Sequence, residues 1–454
     1  MLYHLFEYLK ENVDFPGVGL FRYISVRSFM SVIIALIISL IAGKNIIARL
    51  KRNQITDTSA KTGDNGKTGT PTMGGVVIII SMLVSVLLLC DLSNLYVQLL
   101  VVSTLWLSTI GFLDDLLKLR HKAGKQDTGF VRFLSRLRRQ DKDGMKGKLK
   151  VYGQVGLGLI VGIALYVSDK AVIVEMAQLS ADDAQTEQVE VPAYIRHVKS
   201  TKTTIPFLKD NLFDYSWLTP LGGAAGQKAG WIVYILVAIL IVTAVSNGTN
   251  LTDGRDGLAT GTVAIVGVTL GVLAYLSGNI VYARYLNIMY IPNSGEMVVF
   301  MAGLIGALIG FLWYNAYPAQ VFMGDVGSLT LGGIIAVFAL MIRVELLLVI
   351  LCGVFLAESV SVMAQRFWYR RTRIRATKKL IAQGLYKPGD TVPGKRIWVR
   401  TPLHDHYIFD RSKVQGSIYL KGPKEPIAEP KVVVRFWIIS ILLAVLTIIT
   451  LKIR

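Results

Sequence analysis

Residues 297–343 read MVVFMAGLIGALIGFLWYNAYPAQVFMGDVGSLTLGGIIAVFALMIR, two apolar runs separated by a polar motif with one aspartate. Runs of this kind match the roughly 30 Å hydrocarbon core of a bilayer when they form helices. The whole chain agrees, because 53% of its 454 residues are hydrophobic and its mean hydropathy is +0.51. That is more apolar material than one soluble core of this length uses. The sequence therefore predicts an all-α polytopic membrane protein.

About ten stretches are long and apolar enough to cross the bilayer as helices. They lie near residues 28–43, 75–92, 96–113, 152–168, 229–246, 258–277, 297–314, 329–343, 345–365 and 433–452. The first of them lacks a small-residue cleavage site, which predicts a retained anchor and not a signal peptide.

Basic residues are concentrated in one of the two alternating sets of loops. Lys and Arg number 49 against 30 Asp and Glu, a net charge of +19. The loops after the first, third and ninth spans are rich in Lys and Arg, whereas the turns after the second, sixth and eighth carry almost none. Cytoplasmic loops carry this excess, so both termini are predicted to lie outside. The connection 169–228 is then a small extracytoplasmic excursion, expected to contain a few short strands. The charge indicates a membrane surface and no nucleic-acid partner.

Two adjacent carboxylates end the third span, Asp114 and Asp115 in GFLDDLLK. Neighbouring carboxylates at a membrane boundary are costly unless a cation or a proton is shared between them. A solvated helix end beside Lys118 and Arg120 is the simpler alternative.

A second polar motif, NGTNLTDGRDGLATG, follows the fifth span and contains Asn250, Asp253 and Asp256. A glycine-rich turn before a helix exposes backbone N–H groups, which favour an anion, next to carboxylates that favour a cation. A plain turn with aspartate caps explains one of these aspartates more easily than two.

The motif of the opening stretch, NAYPAQVFMGDVGS, places Asp325 between glycines at the start of the eighth span. Asp325 is either a helix N-cap or part of a third acidic cluster on the same membrane face. Carboxylates together with phosphate oxygens are the ligands that Mg²⁺ prefers, so three such clusters predict a Mg²⁺ site. Asn315 is a candidate for phosphate or ribose binding, and Phe322 offers an aromatic face to a base.

Three further motifs fall on the predicted cytoplasmic side. KTGTPTMGG supplies Lys67 and Thr72 as phosphate contacts, without the spacing of a P-loop. Lys150 opens the fourth span, where ordinary positive-inside charge is the competing explanation. TPLHDHY holds His404 and His406, a pair suited to a metal or a phosphate. The basic cluster 366–375 is more typical of a lipid-headgroup anchor.

The ordered motifs resemble those of the phospho-N-acetylmuramoyl-pentapeptide transferases, the family that makes lipid I in peptidoglycan assembly. The resemblance runs from MLYHLFEYL at the start to VVVRFWI in the last span, and it is carried by KTGTPTMGG, GFLDD, NLTDGRDGLA, NAYPAQVFMGDVGS and AESVSVMAQ. It implies one integral membrane domain that transfers phospho-N-acetylmuramoyl-pentapeptide from UDP-MurNAc-pentapeptide to undecaprenyl phosphate. The reaction is Mg²⁺-dependent, releases UMP, and takes place on the cytoplasmic face of a bacterial inner membrane. The resemblance also suggests a homodimer.

The resemblance implies roles for the candidate residues. Asp114 would deprotonate the polyprenyl phosphate or, in another mechanism, act as the nucleophile, with Asp115 beside it. Asp325 would coordinate Mg²⁺, with Asp114 and Asp115 as further possible ligands. His404 would act near the phosphates, with His406 as a further substrate contact. The phosphate and sugar region would be lined by Lys67, Thr72, Lys150, Asn250, Asp256 and Asn315. The uridine pocket would be formed by Asp253, Phe322 and Gln365.

Three features depart from the family pattern. The loop triplet, usually three histidines, is His-Asp-His here, with Asp405 in the middle, and Arg255 stands where an apolar residue is usual. The chain also has extra length near 127–144, 169–228 and 372–394. A related transferase that uses a UDP-N-acetylhexosamine is the alternative enzyme. A transporter or lipid-binding scaffold is a further alternative, although the two related halves expected of a transporter are not evident.

Overall fold

The computed structural model describes residues 8, 18–52, 69–122, 147–177, 194–207, 212–286, 288–387, 390–414 and 416–452. Its helices are α1 (Ile24–Arg52), α2 (Gly75–Leu89), α3 (Leu95–Lys122), α4 (Gly147–Val167), α5 (Gly223–Thr252), α6 (Leu258–Ser277), α7 (Ile280–Leu286), α8 (Gly295–Asn315), α9 (Gly324–Met341), α10 (Leu348–Leu351), α11 (Gly353–Ala382), α12 (Leu403–Ile408) and α13 (Glu429–Thr450). Its strands are β1 (Ile173–Ala177), β2 (Tyr194–Val198), β3 (Lys202–Thr204) and β4 (Leu212–Asp214). Short 3-10 helices cover Val18–Arg22, Tyr215–Leu218, Glu345–Leu347 and Arg411–Lys413.

All ten predicted spans coincide with described helices, but not all of these are full-length spans. Eight of them are long and apolar enough to cross a membrane: α1, α3, α4, α5, α6, α8, α9 and α13. Helix α2 is apolar and has only 15 residues. The polytopic all-α prediction is confirmed, although full-length spans among the described residues number eight or nine and not ten.

The ninth predicted span is broken. The segment Glu345–Leu351 and helix α11 are bent by 75° where they meet, and counting them as one gives the ninth span. Helix α11 then continues to Ala382, so the extra length predicted from residue 372 begins as a continuation of this helix. Hydropathy located the apolar run but carried no signal for the bend.

Helix α9 lies at the centre of the bundle. In its apolar stretch of 18 residues, 94% are buried, against 22% in the corresponding stretch of the peripheral helix α1. Helix α9 packs on α2, α3, α5 and α6. Small residues allow the close helix contacts that membrane bundles require. At another interface the Ser31 hydroxyl lies 2.8 Å from that of Ser85 and donates to the Val299 carbonyl at 3.0 Å, so α1, α2 and α8 are joined by hydrogen bonds.

The excursion between α4 and α5 contains two small antiparallel sheets, as predicted. Strand β1 pairs with β2, and β3 pairs with β4. The second sheet packs on the turn after α9, where the Thr204 N–H donates to the Arg343 carbonyl at 2.8 Å. The Arg343 guanidinium stacks 4.4 Å from the centroid of the Tyr234 ring, and the Tyr215 hydroxyl donates to Glu345 at 3.0 Å.

The two ends of α9 are therefore occupied differently. Its 18 residues span about 27 Å at 1.5 Å per residue. The excursion packs beyond the C-terminal end, and Asp325 lies at the N-terminal end. The excursion is thus on the opposite side of the bundle from the candidate chemistry, as the sequence predicted.

Candidate active site

Three buried carboxylates converge at one end of the bundle. Asp114 and Asp115 lie on α3 and Asp325 lies in the first turn of α9, and one oxygen of each lies within 4.8 Å of the other two. Asp114 is 1% exposed and Asp115 is 5% exposed. Carboxylates this close repel one another unless cations compensate them.

Two lysines supply that compensation. Lys118 Nζ lies 2.7 Å from Asp114 Oδ2 and 2.6 Å from Asp325 Oδ2, and it lies 3.4 Å from Asp115 Oδ1. Lys150 Nζ lies 2.7 Å from Asp114 Oδ2 and 2.5 Å from Asp325 Oδ2. If all five groups are ionised, three carboxylates against two ammonium groups leave one net negative charge. Lys150, for which positive-inside charge is the competing explanation from sequence, therefore lies at the centre of the cluster.

Glycines in the motifs permit this geometry. Gly324 has a φ of +73°, and a Cβ there would lie 2.7 Å from Asp115 Oδ2, so both its backbone and its surroundings require glycine. At Gly111, one turn before the carboxylate pair, a Cβ would lie 2.7 Å from Val326 Cα. The close approach of α3 and α9 lets the Val326 N–H donate to Asp115 at 3.2 Å.

Helix α5 and the residue that follows it add an amide and a further carboxylate. Asn250 Nδ2 donates to Asp325 Oδ1 at 2.7 Å and to the Ser328 hydroxyl at 2.8 Å. These bonds restrict the rotation of the Asp325 side chain. The pKa of Asp253 lies well above its usual value, first because burial disfavours the charged form and then because Asp325 and Asp115 repel it, although the Gly324 N–H donates to it. Asp253 is therefore electrostatically part of the cluster.

Asp256 and Asn315 join two loops. The Asp256 carboxylate accepts from the Ala319 N–H at 3.0 Å. The Asn315 side chain accepts from the Gly257 N–H at 3.1 Å and donates to the Val321 carbonyl at 2.9 Å. Asp256 and Asn315, which the sequence predicts as phosphate or sugar contacts, thus hold together the loops around the site.

The turn that contains Thr72 packs on the segment before Asp325. The Phe322 N–H donates to the Pro71 carbonyl at 2.8 Å, and the Gly74 N–H donates to the Phe322 carbonyl at 2.8 Å. The structure therefore brings Thr72 and the half-buried Phe322 into neighbouring loops. Lys67 lies outside the described residues.

The loop histidines occupy different environments. His404 is buried, its backbone N–H donates to Glu358 Oε1 at 3.2 Å, and its ring Nδ1 lies 3.2 Å from the same oxygen. A Cβ on Gly254 would lie 2.6 Å from His404 Nε2, so this ring borders the turn that carries Asp253. His406 Nδ1 accepts from the Val399 N–H at 3.2 Å, and burial lowers the pKa of His406.

Gln365 is buried on α11 and is engaged by the loop after this helix. Its Oε1 accepts from the N–H groups of Ile397 and Trp398 at 2.8 and 3.1 Å, and its Nε2 donates to the Trp398 carbonyl at 3.1 Å. His406 and Gln365 thus both organise the loop that precedes His404.

Arg255 and Asp405, the two residues that depart from the family pattern, contact each other. Arg255 Nη2 lies 2.5 Å from Asp405 Oδ1, and Arg255 Nη1 lies 3.3 Å from Glu429 Oε2. Glu429 also accepts from the Asp256 N–H at 3.1 Å. All three charged side chains are buried, so Arg255 and Asp405 form one compensated unit that joins the Asp253–Asp256 turn to the histidine loop.

Three residues of this site carry no functional signal that the sequence alone reveals. Lys118 resembles ordinary charge at a solvated helix end, although it contacts all three carboxylates. Glu358 is fully buried behind His404, and its signal was an isolated glutamate inside a predicted span. Glu429 gave no local signal, because only the fold places it against Arg255.

Comparisons with known proteins agree with this geometry. A model of glycosyl transferase family 4 matches residues 140–343, and a phospho-N-acetylmuramoyl-pentapeptide-transferase signature matches residues 67–79. The phospho-N-acetylmuramoyl-pentapeptide-transferase of Bacteroides fragilis is 49% identical over 460 residues, with all of both chains covered. This chain belongs to that transferase family. The corresponding proteins of Porphyromonas gingivalis and Flavobacterium psychrophilum are 47% and 46% identical, again over the full length of both chains.

Family membership decides among the alternatives that the sequence leaves open. It removes the transporter and scaffold alternatives, and the signature match favours the muramoyl-pentapeptide branch over a UDP-N-acetylhexosamine transferase.

The contact between Arg255 and Asp405 predicts strong thermodynamic coupling. Removing one partner of a buried ion pair leaves an uncompensated charge. The losses of thermal stability in Arg255→Leu and Asp405→Leu should therefore add up to more than the loss in the double variant. We expect a coupling energy of about 2 kcal/mol from a double-mutant cycle in detergent.

The exposed pair Lys199–Asp169, with Nζ and Oδ1 3.0 Å apart, is a matched control. Its coupling should stay below about 1 kcal/mol because solvent screens it. Additive effects of the Arg255 and Asp405 substitutions would show that the two departures are independent.

Proposed function

We infer that this chain transfers phospho-N-acetylmuramoyl-pentapeptide from UDP-MurNAc-pentapeptide to undecaprenyl phosphate, giving lipid I and UMP in peptidoglycan biosynthesis. The observation that carries this proposal is the buried cluster of Asp114, Asp115 and Asp325 with Lys118 and Lys150. Family membership supplies the substrates, and the cluster supplies the charges that phosphoryl transfer requires.

The donor set fits Mg²⁺. Three carboxylates from two helices offer oxygens within 4.8 Å of one another, and oxygen ligands are those that Mg²⁺ prefers. When bound, the ion neutralises negative charge on the pyrophosphate. Asp325 would be its main ligand, because Asn250 and the start of α9 fix its position, with Asp114 and Asp115 completing the set.

The lysines have a second role in this proposal. In the present arrangement Lys118 and Lys150 compensate the carboxylates that would otherwise hold a cation. The Lys118 and Lys150 side chains are 32% and 18% exposed, and their ammonium groups lie at the ends of flexible chains. They are therefore placed to turn toward the phosphate oxygens of the substrates and stabilise charge in the transition state.

Proton transfer and group transfer follow. Asp114 accepts the proton of the polyprenyl phosphate, and the ionised oxygen attacks the β-phosphorus of the sugar nucleotide. A new phosphorus–oxygen bond forms as the bond to UMP breaks, so one phosphoanhydride replaces another and no ATP is needed. His404, held by Glu358, borders the same site and is proposed to contact the phosphates. Thr72, Asn250, Asp256 and Asn315 would line the phosphate and sugar region, with Lys67 and His406 as further substrate contacts.

The uridine pocket is proposed next to the Gly324–Asp325 turn. The Asp253 side chain accepts a hydrogen bond from the Gly324 N–H. Phe322 lies two residues before Gly324, where its ring can stack on a base. Gln365 supports the loop at residues 397–398 and would complete the pocket.

The cluster is proposed to face the cytoplasm of a bacterial inner membrane. The helix ends that carry Asp114 and Lys150 lead into the basic loop after the third predicted span, and the positive-inside rule places such loops in the cytoplasm. The excursion at the other end of α9 would face outward. A homodimer remains a proposal from the family resemblance.

The reaction predicts selective loss of turnover. Asp114→Asn, Asp115→Asn and Asp325→Asn should each reduce Mg²⁺-dependent UMP release with undecaprenyl phosphate by at least about 100-fold. Asp91→Asn, at the other end of the bundle, is the control and should stay within about twofold of the wild type. Near-normal rates in all three acidic-cluster variants would contradict the mechanism. Transfer from UDP-GlcNAc but not from UDP-MurNAc-pentapeptide would identify the alternative enzyme.

The proposed orientation predicts cysteine accessibility. In a background with Cys90 and Cys352 replaced by alanine, Lys170→Cys in the excursion should react with an impermeant maleimide once the outer membrane is permeabilised. Lys413→Cys, equally exposed but on the histidine side, should react only after the inner membrane is opened. The reverse labelling pattern would overturn the orientation.

A further inference from the structure

A basic groove of about 480 Å³ lies between helix α11 and the loop that follows it. Its lining residues on α11 recur at the three- and four-residue spacing of one helix face. The opposite wall comes from the loop before the histidines. The complete lining is Val362, Gln365, Arg366, Tyr369, Arg370, Arg373, Arg396, Arg400 and Thr401.

The groove is strongly cationic. Five of its nine lining residues are arginines, and none is acidic. Arg400 lies 3.1 Å from Asp405, and the Arg396 guanidinium lies 5.9 Å from the centroid of the Tyr369 ring. Within the part of the chain that the structure describes, Arg366, Arg370, Arg373 and Arg396 form no ion pair with a carboxylate. Concentrated positive charge without internal compensation favours an anionic ligand.

The groove adjoins the candidate active site. Gln365 belongs both to its wall and to the proposed uridine pocket. Arg400 shares Asp405 with Arg255, and Arg255 belongs to the turn between Asp253 and Asp256. A substrate bound at the acidic cluster therefore has this groove next to the loops that surround it.

The distribution of arginines argues for more than a headgroup anchor. A helix that only contacts lipid headgroups needs no concave wall opposite its basic face. Arg371 and Arg375 are exposed on the same helix and do not line the groove. These two arginines are therefore the ones suited to contact lipid headgroups at the membrane surface. Guanidinium groups bind carboxylates in paired hydrogen bonds, a geometry that a lysine-rich headgroup anchor does not require.

We propose that this groove binds the peptide stem of the sugar nucleotide through its carboxylates. The inference rests on the proposed function, which supplies the muramoyl-pentapeptide. That peptide is joined to the sugar through its amino end, so its terminal carboxylate is free. Five residues reach at most about 17 Å from the sugar, and the volume of the groove lies in the range of small-ligand sites. Arg370 and Arg373, one turn apart on the groove face, are the central specificity residues.

Binding measurements on the full-length protein in detergent test this without requiring turnover. UDP-MurNAc-pentapeptide and the same compound amidated at its terminal carboxylate are titrated calorimetrically into the wild type, Arg370→Gln, Arg373→Gln and the control Arg371→Gln. We expect Kd for the unmodified compound to rise about tenfold in the two groove variants, as for the loss of one charged hydrogen bond. The control should change by less than about twofold, and the amidated compound should bind weakly to every protein.

Two results would overturn the proposal. One is an unchanged Kd in both groove variants. For the other, activity is compared in vesicles with and without phosphatidylglycerol. If the groove variants differ from the wild type only in how their activity depends on this anionic lipid, the groove binds lipid headgroups. Absence of UMP release by the wild type would refute the proposed function, while the calorimetric comparison would still decide whether the groove recognises the peptide carboxylate.

Discussion

The mutual repulsion of Asp114, Asp115 and Asp325 is the constraint on which the rest of this site depends. Three carboxylates within 4.8 Å of one another persist at the end of a membrane bundle only because Lys118 and Lys150 lie among them. Glycines in two motifs bring α3 and α9 close enough to form the cluster, and Asn250 fixes Asp325 from a third helix. The packing of the apolar helices therefore holds these charged groups together.

Much of the fold could be predicted from the sequence, because the requirement to bury every backbone polar group in lipid makes apolar length a strong signal. All ten apolar stretches became helices. The bend before α11 and the continuation of that helix to Ala382 could not be predicted, because both depend on packing and not on hydropathy. The short excursion strands were expected, but their attachment to Arg343 was visible only in three dimensions.

The site was predictable wherever a residue was unusual for its surroundings. Acidic motifs at span ends identified the cluster, whereas Lys118 was hidden by the ordinary excess of basic residues in cytoplasmic loops. Arg255 and Asp405 each appeared to be an isolated departure until the fold placed their charged groups 2.5 Å apart. Partners distant in sequence, such as Glu358 and Glu429, carry no local pattern that would reveal them.

Asp114, Asp115 and Asp325 should together form one divalent-cation site. Mn²⁺ binding followed by electron paramagnetic resonance tests it directly on the purified protein, without substrate turnover. We expect one bound Mn²⁺ that Mg²⁺ displaces, and we expect this signal to be lost in Asp325→Asn and retained in Asp91→Asn. Equal Mn²⁺ binding by the wild type and Asp325→Asn would contradict it.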